Sequence, residues 1–189
     1  RERNFVLHMI INRNEVDIMS EKNPAVVAAI SKMEQKFRPQ KYYFYGDECK
    51  DMECKPVPQF QGIITLLDLF AGLERCWSKE TAYPSCQKEW VQNDPSYGQC
   101  AITATLVYDM FGGTIHKIKV DGGGTHYFNK LNGRYVDLTR EQFDLYNIPV
   151  NYVPNQEIVR EYCGKNKNTL ERYRQLQRDI IKYLNERQE

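Results

Sequence analysis

Apolar positions along the chain change period several times, and each change marks an element. Residues 5–12, Phe-Val-Leu-His-Met-Ile-Ile-Asn, form a short run rich in β-branched residues and predict a buried strand. Asn23-Pro24 is a helix start, a cap followed by proline at the first helical position. Val26, Val27, Ile30, Met33 and Phe37 continue that helix until Pro39 stops it, and Lys41 to Tyr45 reads as a second strand. Glu48 to Gln59, with Cys49, Cys54, Pro56 and Pro58, reads as a linker or irregular loop. Residues 1–60 are therefore expected to form a small strand-helix-strand extension with its linker, and residues 61–189 the main domain.

Within the main domain, Ile63, Leu66, Leu67, Phe70 and Leu73 fall at helical spacing. A loop-rich stretch with Trp77, Pro84 and Trp90 leads to an apolar helix that starts at Cys100 and ends at Gly112-Gly113. Residues 115–120 alternate as a strand, Gly122-Gly123-Gly124 is a flexible turn, and 125–139 read as a hairpin. A last helix, capped at Thr169, shows Leu170, Tyr173, Leu176, Ile180 and Leu184 on one face. Its basic residues Arg172, Arg174, Arg178 and Lys182 read as a solvated side. The fold class is α+β, with a helix packed on an antiparallel sheet.

Composition narrows the function. With 26 basic and 25 acidic residues the net charge is +1, which argues against nucleic-acid binding through bulk electrostatics. No apolar run is long enough for a membrane span and no signal peptide is visible, so a cytoplasmic protein is expected. The chain opens on Arg1 rather than Met, which suggests a processed product or fragment, with a larger parent chain or a partner reached through the extension. Six cysteines in 189 residues are too few for a disulfide scaffold and fit reduced thiols. Cys49, Cys54, Cys76 and Cys86 lack the short paired spacings of a zinc site, and no metal or cofactor is expected. The glycine run at 122–124 is no phosphate loop, because no Lys-Ser follows and a strand, not a helix, comes next.

Candidate chemistry centres on Cys100, where a Pro- and Gly-bearing loop meets the apolar helix. A thiol at a helix N-terminus meets free N–H groups and the positive end of the dipole, which favour its nucleophilic form. His126 and Asp137 follow on the two strands of the hairpin. Asn132-Gly133 is the preferred pair for a two-residue type I′ turn, which pairs Leu131 with Arg134 and places Phe128 opposite Asp137. His126 and Asp137 are then diagonal neighbours on one face, with backbones roughly 7–8 Å apart. A one-residue slip would separate them. In this geometry His126 is the general base for Cys100, and Asp137 orients the imidazole. The backbone N–H of Cys100 can donate to an oxyanion, with Gln99, Gln87 or Gln92 as the second donor. Trp77, Trp90, Gly124 and Asn129 are the candidates for the walls of the cleft.

The motifs from Trp77-Ser78-Lys79-Glu80-Thr81 through Gly98-Gln99-Cys100-Ala101-Ile102-Thr103-Ala104, Gly124-Thr125-His126-Tyr127-Phe128-Asn129 and Val136-Asp137-Leu138-Thr139 to Phe143 resemble the YunG-like family of small bacterial and phage-borne proteins. The likeness covers about residues 62–185 and leaves the first 60 outside. The family's pattern resembles the Cys-His-Asp core of transglutaminases, arylamine acetyltransferases and papain-like hydrolases. That resemblance implies Cys100 as nucleophile, His126 as base and Asp137 as orienter, and it supplies no substrate. The expected function is thiol-dependent acyl chemistry, first hydrolysis of a peptide or isopeptide-like amide in a protein or peptide substrate. Acyl transfer to an amine is the second reading, and a non-catalytic binding module that keeps the fold is the third.

Overall fold

In the computed structural model, which describes residues 43–120 and 124–187, the first long helix, α1 (Leu66–Cys76), starts at a capping box. Thr65 Oγ1 accepts from the Asp68 N–H at 3.2 Å, and Asp68 Oδ2 accepts from the Thr65 N–H at 2.8 Å. Helix α2 (Cys100–Phe111) has no side-chain cap. It is held by its surroundings, since Ile102 to Val107, Met110 and Phe111 are all buried. Gly112, at φ 77°, ends it as expected. The C-terminal helix, which becomes α5 in chain order (Lys167–Glu186), buries Tyr173, Leu176, Ile180 and Leu184. Its cap is Asn166, whose side chain accepts from the N–H groups of Asn168 and Thr169, rather than Thr169 itself. The three helices share one core through Leu73, Leu106 and Leu176, each such leucine contributing about 2 kcal/mol by burial.

The sheet has four antiparallel strands, β1 (Thr114–Lys119), β2 (Thr125–Leu131), β3 (Arg134–Val136) and β4 (Gln156–Ile158), in the order β3-β2-β1-β4. Asn132 and Gly133 take φ 48° and 82°, as a type I′ turn needs. Leu131 pairs with Arg134 and Asn129 with Val136, which is the register expected from the turn. Leu131 and Val136 join the helical core. Ile118, Phe128 and Tyr152 form a second, smaller cluster. Short helices α3 (Glu141–Asp144) and α4 (Arg160–Gly164) fill the stretch between hairpin and last helix together with β4.

Two expectations change. The strand at 5–12, the helix from Asn23-Pro24 and Gly122-Gly123 lie outside the described residues. Of the strand expected at 41–45, the described part is a single bridge, Tyr45 to Asp137. The boundary expected after residue 60 also moves, because every described residue falls in the compact unit Tyr42–Glu189. Phe44 and Phe60 are buried in the same core as α1 and α2, and the Cys54 N–H donates to the Ile64 carbonyl. The reason is local: Gly46, at φ 83°, lies so close to β3 that a Cβ there would meet the Tyr135 carbonyl oxygen at 2.3 Å. The supposed linker is irregular, as expected, but it is packed. All six cysteines are free. Among the described residues no helix is long and apolar enough to cross a membrane, and no three His, Cys, Asp or Glu side chains are grouped to hold a metal ion.

Candidate functional site

Strand β3 ends at Val136, and Asp137 turns out of the hairpin with its N–H donating to the Tyr45 carbonyl at 2.9 Å. That turn sends its carboxylate toward His126, and His126 Nε2 meets Asp137 Oδ2 at 2.6 Å. Both side chains are 1% exposed. Asp137 is satisfied on both oxygens. Oδ1 accepts from Thr139 N at 3.0 Å and Thr139 Oγ1 at 2.9 Å, and Oδ2 accepts from the Tyr152 hydroxyl at 2.8 Å as well as from His126. Burial opposes ionisation of Asp137, but the imidazolium beside it and these hydrogen bonds win, and the carboxyl is held below its ordinary value. Burial likewise opposes charge on His126, and the Asp137 carboxylate outweighs it, raising the proton affinity of the imidazole. Both shifts favour the carboxylate–imidazolium form of the pair.

Phe143 fixes the ring from the side, its own ring edge-on to His126 at 4.7 Å between centroids. The Nδ1 of His126 is buried and has no hydrogen-bond partner. Cys100, half-buried at the head of α2, lies close enough to add to the proton affinity of the imidazole. The Cys100 N–H, in the first turn of the helix, has no intrahelical acceptor. The loop before it is tightly set. Gly98 takes φ 74°, and a Cβ there would fall 2.7 Å from the Cys86 Cβ. Its N–H donates to Gln142 Oε1 at 3.4 Å, while Gln142 Nε2 donates to the Thr139 carbonyl at 2.8 Å. Gln142 thus ties the loop before Cys100 to the turn at Asp137.

The residues expected around this centre divide. His126 and Asp137 are joined by a hydrogen bond, and Cys100 bears on the imidazole through its charge. The amide of buried Gln99 donates to the Ser78 carbonyl at 2.8 Å, and that of Gln87 to the carbonyls of Glu80 and Ala82. Gln92 is exposed and, with Gln87 and Trp90, lines a groove of about 900 Å³ between residues 75–92 and α5, whose lining does not include Cys100. Two glutamines are thus committed to backbone carbonyls and the third faces elsewhere. Trp77 is core: it is 3% exposed, with Nε1 donating to Thr103 Oγ1 at 3.1 Å. Trp90 donates to the Pro95 carbonyl. Asn129 is a strut, its amide donating to the Ala104 carbonyl and fastening β2 to α2. Gly124 is exposed, and a Cβ there would make ordinary contact with Val120.

Arg172 departs most from expectation. It is 4% exposed, not on a solvated side, and Nη1 donates to the Thr81 carbonyl at 3.0 Å. Arg172, Leu176 and Ile180 are four apart, so the arginine lies on the buried stripe of α5. The sequence carried that signal. Tyr152, by contrast, comes from a loop, and its reach to Asp137 could not be read from spacing.

A family model described as YunG protein matches residues 65–185. The Uncharacterized protein YunG of Bacillus subtilis (strain 168) is 34% identical over 115 residues, which cover 60% of this chain and 89% of that protein. No solved structure matches the chain.

Proposed function

The chain belongs to the YunG family, and from that premise we propose that it is a cysteine hydrolase with a papain- and transglutaminase-like Cys-His-Asp core. The observation that carries this reading is the buried His126–Asp137 pair, with Nε2 held at 2.6 Å and Nδ1 left without a partner. An imidazole fixed in that way has one nitrogen left to exchange protons with the thiol. The substrate class is a peptide or isopeptide-like amide in a protein or peptide, met in a reducing cytoplasm where a free thiol persists.

The steps follow from the geometry. His126 Nδ1 takes the Cys100 proton, and the sulfur attacks the amide carbonyl carbon, forming a C–S bond. The carbonyl oxygen takes the negative charge and accepts from the Cys100 N–H. The C–N bond breaks as His126 gives its proton to the leaving amine. A water molecule then attacks the thioester, His126 takes its proton, and the acid leaves as the thiol re-forms. Asp137 accepts the hydrogen bond from Nε2–H throughout and holds the ring orientation.

The competing thiols help the test. Burial pushes up Cys49, Cys54, Cys86 and Cys163, and raises Cys76 to about 12. Site-resolved labelling with iodoacetamide near neutral pH is expected to mark Cys100 well before the other five. His126→Ala should remove that preference. Uniform slow labelling of all six thiols overturns the hydrolase and leaves a binding module that keeps the fold. Incubation with cell extract, followed by mass analysis of the Cys100 peptide, identifies the acyl group. Release to an added amine in place of water makes the protein a transferase.

A further inference from the structure

We propose that Arg172 is the buried counter-charge of the nucleophile, an electrostatic positioning residue whose guanidinium stabilises the negative charge that forms at Cys100. This rests on the hydrolase reading above. The first observation is that the cation has no anionic partner in the fold. Arg172 donates to Asn168 Oδ1 at 2.9 Å, the Thr81 carbonyl at 3.0 Å and Thr169 Oγ1 at 3.3 Å, all neutral oxygens. Among the described residues it forms no ion pair with a carboxylate. Burying an unpaired cation is expensive. A strut between α5 and the Thr81 carbonyl needs a donor, not a charge.

Its placement supplies the reason. The guanidinium carbon lies 5.6 Å from the centre of the Tyr83 ring. The Tyr83 N–H donates to the Gly98 carbonyl at 2.9 Å, and Gly98 stands two residues before Cys100. Arg172 therefore sits behind the loop that presents the thiol. Burial disfavours its charge, and of the ionisable groups that favour it Cys100 acts most, ahead of Tyr83 and Cys86. Tyr83 is an exposed phenol, and burial pushes the Cys86 thiol up, so Cys100 is the group that the reaction ionises. The imidazolium does not fill the same role, because Asp137 already balances it. With the thiolate formed, the three residues of the triad carry one net negative charge, and Arg172 brings the buried group to neutrality.

Two alkylating reagents read this charge directly. Iodoacetate and iodoacetamide attack the same thiolate, so the ratio of their rates cancels the thiolate fraction and reports the local field. On the Cys100 peptide, resolved by mass, that ratio is expected to exceed the ratio for a neutral cysteine peptide by about fivefold. It should fall to the peptide's value in Arg172→Met and Arg172→Gln and be kept in Arg172→Lys. An unchanged ratio in a folded neutral variant overturns the proposal. So does a wild-type ratio no higher than the peptide's, which needs no variant to fold. Failure of the hydrolase reading shows separately, as uniform labelling of all six thiols by iodoacetamide.

Discussion

Two buried charges lie within the same unit, and the fold treats them in opposite ways. Asp137 meets an imidazolium, a phenol, a hydroxyl and a backbone N–H, so that each oxygen has two donors. Arg172 meets an amide oxygen, a hydroxyl and a backbone carbonyl, none of them charged. Satisfying hydrogen bonds and neutralising charge are separate requirements. Asp137 has both requirements met, by its four donors and the imidazolium. The Arg172 region fulfils the first only, so its charge is directed at whatever becomes anionic nearby.

The largest effect expected from this contrast is on chemistry. His126→Ala should lower both amide turnover and the labelling preference of Cys100, turnover by about 10²–10⁴-fold. Next comes stability. Asp137→Ala leaves an imidazolium buried without its partner and should cost about 3–5 kcal/mol in urea unfolding. A cost under about 1 kcal/mol would erase the distinction between the two regions.

The pH dependence of that stability has a definite sign. The Asp137 carboxyl is held below its ordinary 3.8, so its contribution is full above 3.8 and lost as pH falls through the lowered value. His126 is held above its ordinary 6.5, so its contribution is full below 6.5 and lost as pH rises through the raised value. Urea midpoints should therefore be level between 3.8 and 6.5 and decline well outside that window. The decline due to the pair should vanish in Asp137→Ala.

A smaller change sharpens the picture. Tyr152→Phe removes one of four donors to the carboxylate and should cost about 1–2 kcal/mol, with a several-fold loss of turnover. Smallest of all are Gln87→Ala and Gln92→Ala, which should leave Cys100 labelling unchanged, because neither amide is directed to the thiol. A marked loss in either would restore that glutamine as an oxyanion donor.

What could be read in advance follows from how local each cause is. Asn132-Gly133 fixes two positive φ angles, and the pairing of 129–131 with 134–136 follows from that dipeptide, while Asp137, expected opposite Phe128, bridges Tyr45 instead. The start of α2 at Cys100 was legible from a polar loop meeting an apolar run. Tyr152, Gln142 and Tyr45 were not, since each reaches the site across a fold that spacing does not encode. Arg172 is the instructive case between these. Its position on the stripe of Leu176 and Ile180 was visible, and its chemistry argued the other way, toward solvent. Position won because neutral oxygens on Thr81, Asn168 and Thr169 meet its donors.

The bridge from Tyr45 to Asp137 bears on how the site could be carried from one protein to another. Tyr45 stacks on Tyr152 with ring centroids 4.2 Å apart, and its carbonyl receives the N–H of Asp137. The segment that matches the family model begins at residue 65, twenty positions later. A gene fragment cut to the matched stretch would encode Cys100, His126 and Asp137 and omit the piece of backbone on which Asp137 is aligned. Grafts, minimal versions and chimaeras of this site therefore need residues 43–60 included, even though they contribute no side chain to the chemistry.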